Sequence, residues 1–319
     1  MSIAANKIVY NIDRFKQHKP ITADVFLTNY CNNHCPYCTY GRWDLPNKEA
    51  YMSFKKFVEY AERMLCLGVR GIILTGGGEP TINPDFLKIA KWLEEKGISY
   101  GINTNFNELL YFSPTYLKVS LDAYDEDSYQ LKRGVRAYDK VIGNIRKYLE
   151  WKIINSAKTK VGIQCVAETE EETFKFYESN KRLNVDYIVF RPVESTFGKY
   201  YRNNQKVETA QKIKSLVTEL NKKDKRVVLN FKWNMLDWQE EKCEAQWSQI
   251  AINEIGEVMY CCHKPYEIIG HIMDDDILQK KEDAKTNMSM CDIPCRLTAP
   301  NNFVANYYMH KSEEDLVFI

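Results

Sequence analysis

Apolar residues along this chain fall into short runs, separated by longer stretches in which they recur every three or four positions. The runs at 21–28, 71–75, 100–105, 117–122, 161–167 and 185–193 read as buried strands. Between them lie helical faces. Phe54, Phe57, Val58, Ala61 and Leu65 follow Ser53 as N-cap. Asn83 as N-cap, Pro84 at the first helical position and Gly97 past the end frame a second helix. Val141, Ile142, Ile145 and Leu149 mark another, as do Phe174, Tyr177 and Leu183, and then Ala210, Ile213, Leu216 and Leu220. Strand alternating with helix predicts an α/β fold, a parallel sheet with right-handed crossovers. The pattern alone fits an open doubly wound sheet or part of a (β/α) barrel. In both, ligands belong at the carboxyl ends of the strands.

From about residue 227 the pattern changes. A short strand at 228–231 is followed by Trp233, Trp238 and Trp247 and by Cys243, Cys261, Cys262, Cys291 and Cys295. The chain therefore divides into an N-terminal extension (1–20), a core (21–225) and a small cysteine-rich α+β domain (226–319).

Composition narrows the function classes. Lys and Arg number 44 and Asp and Glu 43, a net charge of +1, so nothing calls for a nucleic-acid or membrane partner. The first residues lack the apolar stretch of a signal peptide, and no run is long enough to span a bilayer. A cytoplasmic protein is expected, and a monomer, since no heptad or other self-pairing element stands out. Ten cysteines are many for the cytosol, where disulfides are rare, and their clustering argues for metal sites.

Cys31, Cys35 and Cys38 read C-x3-C-x2-C directly after the first strand. Three thiolates so close can hold three corners of a [4Fe–4S] cube and leave one iron open, since such a cluster usually takes four cysteines. A zinc knuckle or free buried thiols remain alternatives. Gly76, Gly77 and Gly78 end the second strand; Glu79 and Pro80 follow, where a P-loop would carry lysine. Asn103, Ser120 and Asp122 are polar residues in apolar strands and need partners. Two apart, Ser120 and Asp122 should face one side. Gln164 and Arg191 lie on later strands. Cys66 and Cys165 read as core residues; His34, His263 and His271 read as structural or solvent-facing.

Four segments in order carry a family resemblance: the three-cysteine loop with Tyr37 before its last cysteine; Gly76, Gly77, Gly78, Glu79 and Pro80; Ile102, Asn103, Thr104 and Asn105; and Val119, Ser120, Leu121 and Asp122. Over residues 21–192 the chain resembles the radical S-adenosylmethionine (radical SAM) enzymes. The resemblance implies a partial (β/α)6 barrel. It implies a cluster on Cys31, Cys35 and Cys38 whose open iron binds SAM, and reductive cleavage of SAM to a 5′-deoxyadenosyl radical that takes hydrogen from a substrate C–H bond. Tyr37, Gly77, Gly78, Glu79, Asn103, Ser120, Asp122, Arg133 and Gln164 would then meet the cofactor.

The segment from Cys243 to Cys295 resembles the SPASM extension, or its shortened twitch form. That implies one auxiliary [4Fe–4S] cluster on Cys243, Cys261, Cys291 and Cys295, with Cys262 spare and zinc as the alternative metal. The resemblance implies oxidation of a small polar substrate, an alcohol or aminosugar, with the auxiliary cluster as electron acceptor and flavodoxin or ferredoxin as donor. Arg191, Glu194 and Tyr187 are candidate proton acceptors, chosen by position near a strand end. A peptide substrate, crosslinked or epimerised, is the second reading. Nucleotide or cofactor chemistry is the third, and a non-catalytic iron–sulfur or zinc protein the last.

Overall fold

The structure is a computed structural model that describes residues 6–38, 40, 50–193, 207–234, 242–288, 291 and 295–308. Its strands are β1 (Thr22–Phe26), β2 (Gly71–Thr75), β3 (Ser99–Thr104), β4 (Tyr116–Ser120), β5 (Lys160–Ala167), β6 (Tyr187–Pro192), β7 (Val227–Leu229), β8 (Gln249–Ile252), β9 (Glu257–Met259) and β10 (Ile268–His271). Its helices are α1 (Asn6–Val9), α2 (Ile12–Lys16), α3 (Phe54–Leu67), α4 (Phe86–Glu95), α5 (Glu126–Arg133), α6 (Tyr138–Ile154), α7 (Glu170–Asn180), α8 (Val207–Lys223), α9 (Ile277–Asp283) and α10 (Thr298–Tyr308).

One sheet of ten strands runs in the order β10-β9-β8-β1-β2-β3-β4-β5-β6-β7. From β1 to β7 spatial order equals chain order and every pair is parallel. That is the order of a barrel wall; a doubly wound sheet reverses. The wall does not close. β8 pairs in parallel with the free edge of β1, β7 takes the edge of β6, and β9 and β10 continue as an antiparallel meander. The partial barrel with a C-terminal extension is thus the fold.

The helices form for local reasons, though several present a different face from the expected one. Ser53 Oγ accepts from Lys56 N–H, and Gly68 at φ 114° ends α3 in the left-handed region. Its buried stripe is Phe57, Tyr60, Ala61 and Met64. Val58 and Leu65 flank that stripe and Cys66 is exposed, not core. The start of α4 lies later than expected, with Asp85 at the N-cap. Asn83 is instead buried, and its amide donates to Leu27 O and Met52 O. On α7 the buried residues are Thr173, Phe176 and Asn180, whereas Phe174 is exposed and Leu183 lies beyond the end. Helix α5 was not foreseen. Asp125 and Ser128 form a capping box at its start, and it buries Ser128, Tyr129, Lys132 and Arg133.

Residues before β1 pack against the C-terminal segment: Ile8 and Phe15 share a core with Ala245, Trp247, Leu297 and Val304, flanked by Cys243 and Cys295. On the concave face of the sheet, two tyrosine rings lie over glycines on neighbouring strands. A Cβ at Gly101 would stand 2.0 Å from the Tyr116 ring, and one at Gly162 would stand 2.1 Å from the Tyr187 ring. Gly162→Ala should therefore cost about 1–3 kcal/mol of stability. The same change made in a Tyr187→Ala background should cost much less, as read by a double-mutant cycle of denaturation midpoints on the metal-free protein.

Candidate active site

Three strand ends converge on the loop that leaves β1. Tyr30 is drawn to the glycine segment, where Glu79 N–H donates to Tyr30 O at 2.8 Å and Gly78 N–H to Thr28 O at 2.9 Å. A Cβ at Gly78 would lie 1.7 Å from Tyr30 O, so only glycine allows this approach. Gly77 is less restricted, its added Cβ meeting nothing nearer than 3.4 Å. Glu79 is fully used within the protein. Its Oε1 accepts from Thr81 N–H and Oγ1 and from Thr104 Oγ1, and its Oε2 accepts from Asn105 N–H at 2.7 Å. Burial pushes its carboxyl up, and these donors oppose that.

Asparagines fix the cysteine loop itself. Asn105 Nδ2 donates to Asn32 Oδ1 at 2.6 Å and reaches Cys31 Sγ at 3.8 Å. Asn107 Nδ2 donates to Asn33 Oδ1 at 2.6 Å. Phe106 between them has φ 59°, a left-handed turn at the end of β3. Sequence reasoning had chosen Asn103. Its Nδ2 donates to Thr75 Oγ1 at 3.3 Å, while its Oδ1 is buried with no partner among the described residues.

The far side of the loop rests on Asp122 and Arg133. Asp122 does not continue β4, so strand geometry does not set it on one side with Ser120; its φ of 56° turns the chain after the strand ends. Its Oδ1 accepts from Val166 N–H at 2.7 Å and its Oδ2 from Tyr37 OH at 3.0 Å. Arg133 Nη1 stands 3.3 Å from Asp122 Oδ2 and donates to Cys35 Sγ at 3.4 Å. Its Nη2 donates to Ser120 O, and its carbonyl accepts from His34 N–H. Burial opposes the guanidinium charge, but Tyr37, Asp122 and Cys35 outweigh it and hold Arg133 cationic. Gln164 is buried beside them, its carbonyl accepting from Leu121 and Asp122 N–H. Tyr37, Asp122, Arg133 and Cys35 thus form one network, and Ser120 enters it only through its backbone.

The donor set fits an anionic thiolate cluster. Burial pushes the Cys31 thiol up to about 12 and also raises Cys35, so free thiols there stay protonated and lose their protons only to metal. Cys31 Sγ accepts from Asn33 N–H at 3.4 Å, and Cys35 Sγ from cationic Arg133. Both donors favour the thiolate form. Among the described residues no three His, Cys, Asp or Glu side chains converge on a single-ion site. Thiolates that each take a different iron of a cube need not converge on one point.

The second cysteine group lies at the opposite end of β1. Cys243 precedes the 3₁₀ turn Glu244–Ser248 that enters β8, which is parallel to β1, and Cys261 follows the antiparallel β9. Both therefore stand at the N-terminal end of β1, and the cysteine loop stands at its C-terminal end. Strand β1 itself is five residues long, about 16 Å. Burial and the thiols of Cys295 and Cys243 raise Cys261. Cys262 is buried in a cluster with Phe26, Ala251 and Met259. Leu297 N–H donates to Cys295 Sγ and Asn301 Nδ2 to Cys243 Sγ, both at 3.4 Å.

Of the expected proton acceptors, Glu194 lies outside the described residues. Tyr187 opens β6 at its N-terminal end, away from the cysteine loop, with its ring across Gly162 and its phenol raised by burial. That position and that shift both count against it as a base. Arg191 is near the C-terminal end of β6, level with Val166. His271 is structural, bonding Ile255 O at 3.1 Å.

Residues 25–179 match the family model of the Radical SAM superfamily. A relative from Pyrococcus horikoshii, named probable GTP 3′,8-cyclase, is 33% identical over 146 residues, covering 43% of this chain and 45% of that protein. GTP 3′,8-cyclase of Haemophilus influenzae is 24% identical over 192 residues, covering 56% and 57%. The chain thus spans about half the length of the curated relatives it matches. In fold it is similar to Streptococcus suis SuiB bound to the precursor peptide SuiA, with a TM-score of 0.61 and 14% identity over 97% of this chain and 72% of that one. It is similar also to anSMEcpe with bound AdoMet, with a TM-score of 0.62 and 17% identity over 85% and 83%.

Gly78→Ala should force Tyr30 away from the glycine segment and cost about 1–3 kcal/mol. Iron bound per chain after anaerobic reconstitution should fall with it, while Gly77→Ala should leave both quantities near the parent values. Glu79→Gln should also destabilise, by about 1–3 kcal/mol, because an amide turns donors toward the donors of Thr81, Thr104 or Asn105. Thermal unfolding of the metal-free protein checks this without the metal's contribution.

Proposed function

We propose that the chain is a radical SAM enzyme of the SPASM/twitch type, oxidising a small polar substrate of the alcohol or aminosugar kind. The observation that carries this is the pair of cysteine groups at the two ends of one strand. A three-cysteine [4Fe–4S] cluster with SAM on its open iron supplies reductive SAM cleavage and hydrogen abstraction from a C–H bond. A four-cysteine cluster beyond the barrel supplies an acceptor for the electron left once the substrate has also lost its hydroxyl proton.

The chain's own residues hold and orient. Cys31, Cys35 and Cys38 are the ligands of the first site, and Cys243, Cys261, Cys291 and Cys295 those of the second. Asn105, Asn107 and the Asp122–Arg133 pair keep the first loop in place against β3 and β4. Asn103, with its unmatched buried carbonyl oxygen, is the residue on the concave face best prepared to accept a hydrogen bond from the cofactor or substrate. Flavodoxin or ferredoxin as donor, a monomeric state and a cytoplasmic location belong to this reading. No helix among the described residues is long and apolar enough to cross a membrane.

Peptide modification is the second reading. It is favoured by the likeness in fold to SuiB with its precursor peptide and to anSMEcpe, which has also been solved with a Cp18Cys peptide. Nucleotide chemistry of the GTP 3′,8-cyclase kind is the third, supported by the partial match to those relatives.

Iron and sulfide per chain decide the first point. Anaerobically prepared protein should carry about eight irons, falling to about four when Cys31, Cys35 and Cys38 are all alanine. The intact protein under reducing conditions should release methionine and 5′-deoxyadenosine from SAM. Cys243→Ala or Cys291→Ala should abolish net substrate oxidation. Full activity in such a folded variant without its second iron set would sink the electron-acceptor role.

A further inference from the structure

Lys281 carries its ammonium into a buried site. It lies on α9 one turn after Ile277, and both are buried on the same face. Only 1% of Lys281 is exposed. Its Nζ donates to Gln246 Oε1 at 2.5 Å and sits 5.6 Å from the centre of the Trp247 ring and 5.9 Å from that of Tyr260. Among the described residues it forms no ion pair with Asp or Glu. Its neighbour Lys280 does the opposite, pairing outward with Asp274 and Asp276.

Burying an unpaired ammonium is costly, and the group ordinarily neutralises or finds an anion. The groups near it that become anionic on binding metal are the thiols of Cys261 and Cys243. Gln246 and Trp247 belong to the turn that begins at Cys243, and Tyr260 precedes Cys261. Burial lowers the Lys281 ammonium to about 8, while Cys261 and Cys243 pull it back up. Arg296, next to Cys295, is already matched by Asp24 and Gln249, and buried Lys264 pairs with Glu267.

We propose that Lys281 is the built-in counter-charge of the four-cysteine centre and raises its reduction potential, making it a better electron acceptor. The proposal rests on the four-cysteine cluster reading above. Four thiolates around an iron–sulfur core leave a negative centre, and adding an electron makes it more negative. A fixed positive charge in a low-dielectric site favours that added electron. Lys281 therefore acts through the cluster and is a positioning residue for charge.

The test uses the full-length chain with Cys31, Cys35 and Cys38 replaced by alanine, so that the remaining iron belongs to the second centre. Anaerobic redox titration followed by electron paramagnetic resonance reads its midpoint. Lys281→Met should lower the reduction equilibrium about tenfold, about 59 mV for one electron. Lys281→Arg should return the midpoint toward the parent value. Iron lost in Lys281→Met but kept in Lys281→Arg also supports the counter-charge. An unmoved midpoint with iron retained overturns it, as does iron lost equally in both variants, which would mark a packing role. Zinc or no metal in the parent overturns the cluster reading itself and the redox role with it.

Discussion

The ion pair between Asp122 and Arg133 is the contact on which the cysteine loop depends. Both side chains are almost wholly buried, at 1% and 8% exposure. Such a pair is weak evidence for stability, because desolvation cancels much of its attraction. Its value lies in geometry. Asp122 spends its two oxygens on Val166 N–H and Tyr37 OH, tying β5 to the loop. Arg133 spends its donors on Asp122, Ser120 and Cys35, tying β4 to the same loop. The cation thus reaches the sulfur with its charge directed by the carboxylate behind it. Removing either partner would leave a buried charge beside a thiolate, so the two residues act as one unit.

A second constraint comes from the sheet. A wall of parallel strands leaves an open edge at β1, and unpaired edges invite wrong partners. Here β8 covers that edge, and the hairpin partner of β8 brings Cys261 back to the level of Cys243. The same pairing that closes the edge sets the second cysteine group at the foot of β1. Arg296, next to Cys295, then reaches Asp24 in the middle of β1 and fixes the last cysteine to the barrel wall. The helices before β1 pack against this same region, so both ends of the described chain support the second site.

Much of the wall was legible because buried parallel strands are short apolar runs, and a run such as Gly71 to Thr75 has no competing reading. Helix faces were less legible. On α7 the eye goes to Phe174, but burial follows the spacing of Thr173, Phe176 and Asn180. Helix α5 was invisible because, apart from Ser128 in its capping box, it buries Tyr129, Lys132 and Arg133, whose partners lie on other segments. The cysteine spacing and the ordered motifs marked the site, yet their roles inside it were not readable. Glu79 bridges strands, Gly78 admits Tyr30, and Asp122 leaves its strand through a left-handed turn. The recurrence of asparagine at 32, 33, 103, 105 and 107 is a sequence signal for this site, since buried amides need partners and those of Asn105 and Asn107 find theirs on the cysteine loop.

The floor of the concave face has its own consequence for how a substrate could sit. Tyr116 and Tyr187 are the first residues of β4 and β6, and their rings cover Gly101 and Gly162. Burial raises the Tyr116 phenol, and Asp24 and Tyr187 raise it further, so both rings stay neutral in a packed layer. This layer, with Asp24 and Arg296, fills the face at the N-terminal end of the strands. Glycine beneath each ring is what allows that layer to be thin. Nearer the C-terminal ends of the strands the lining changes to polar groups such as Asn103, whose buried Oδ1 has no hydrogen-bond partner among the described residues. The three-cysteine loop follows the C-terminal end of β1 and the second cysteine group stands by its N-terminal end, so this packed layer lies between the two groups.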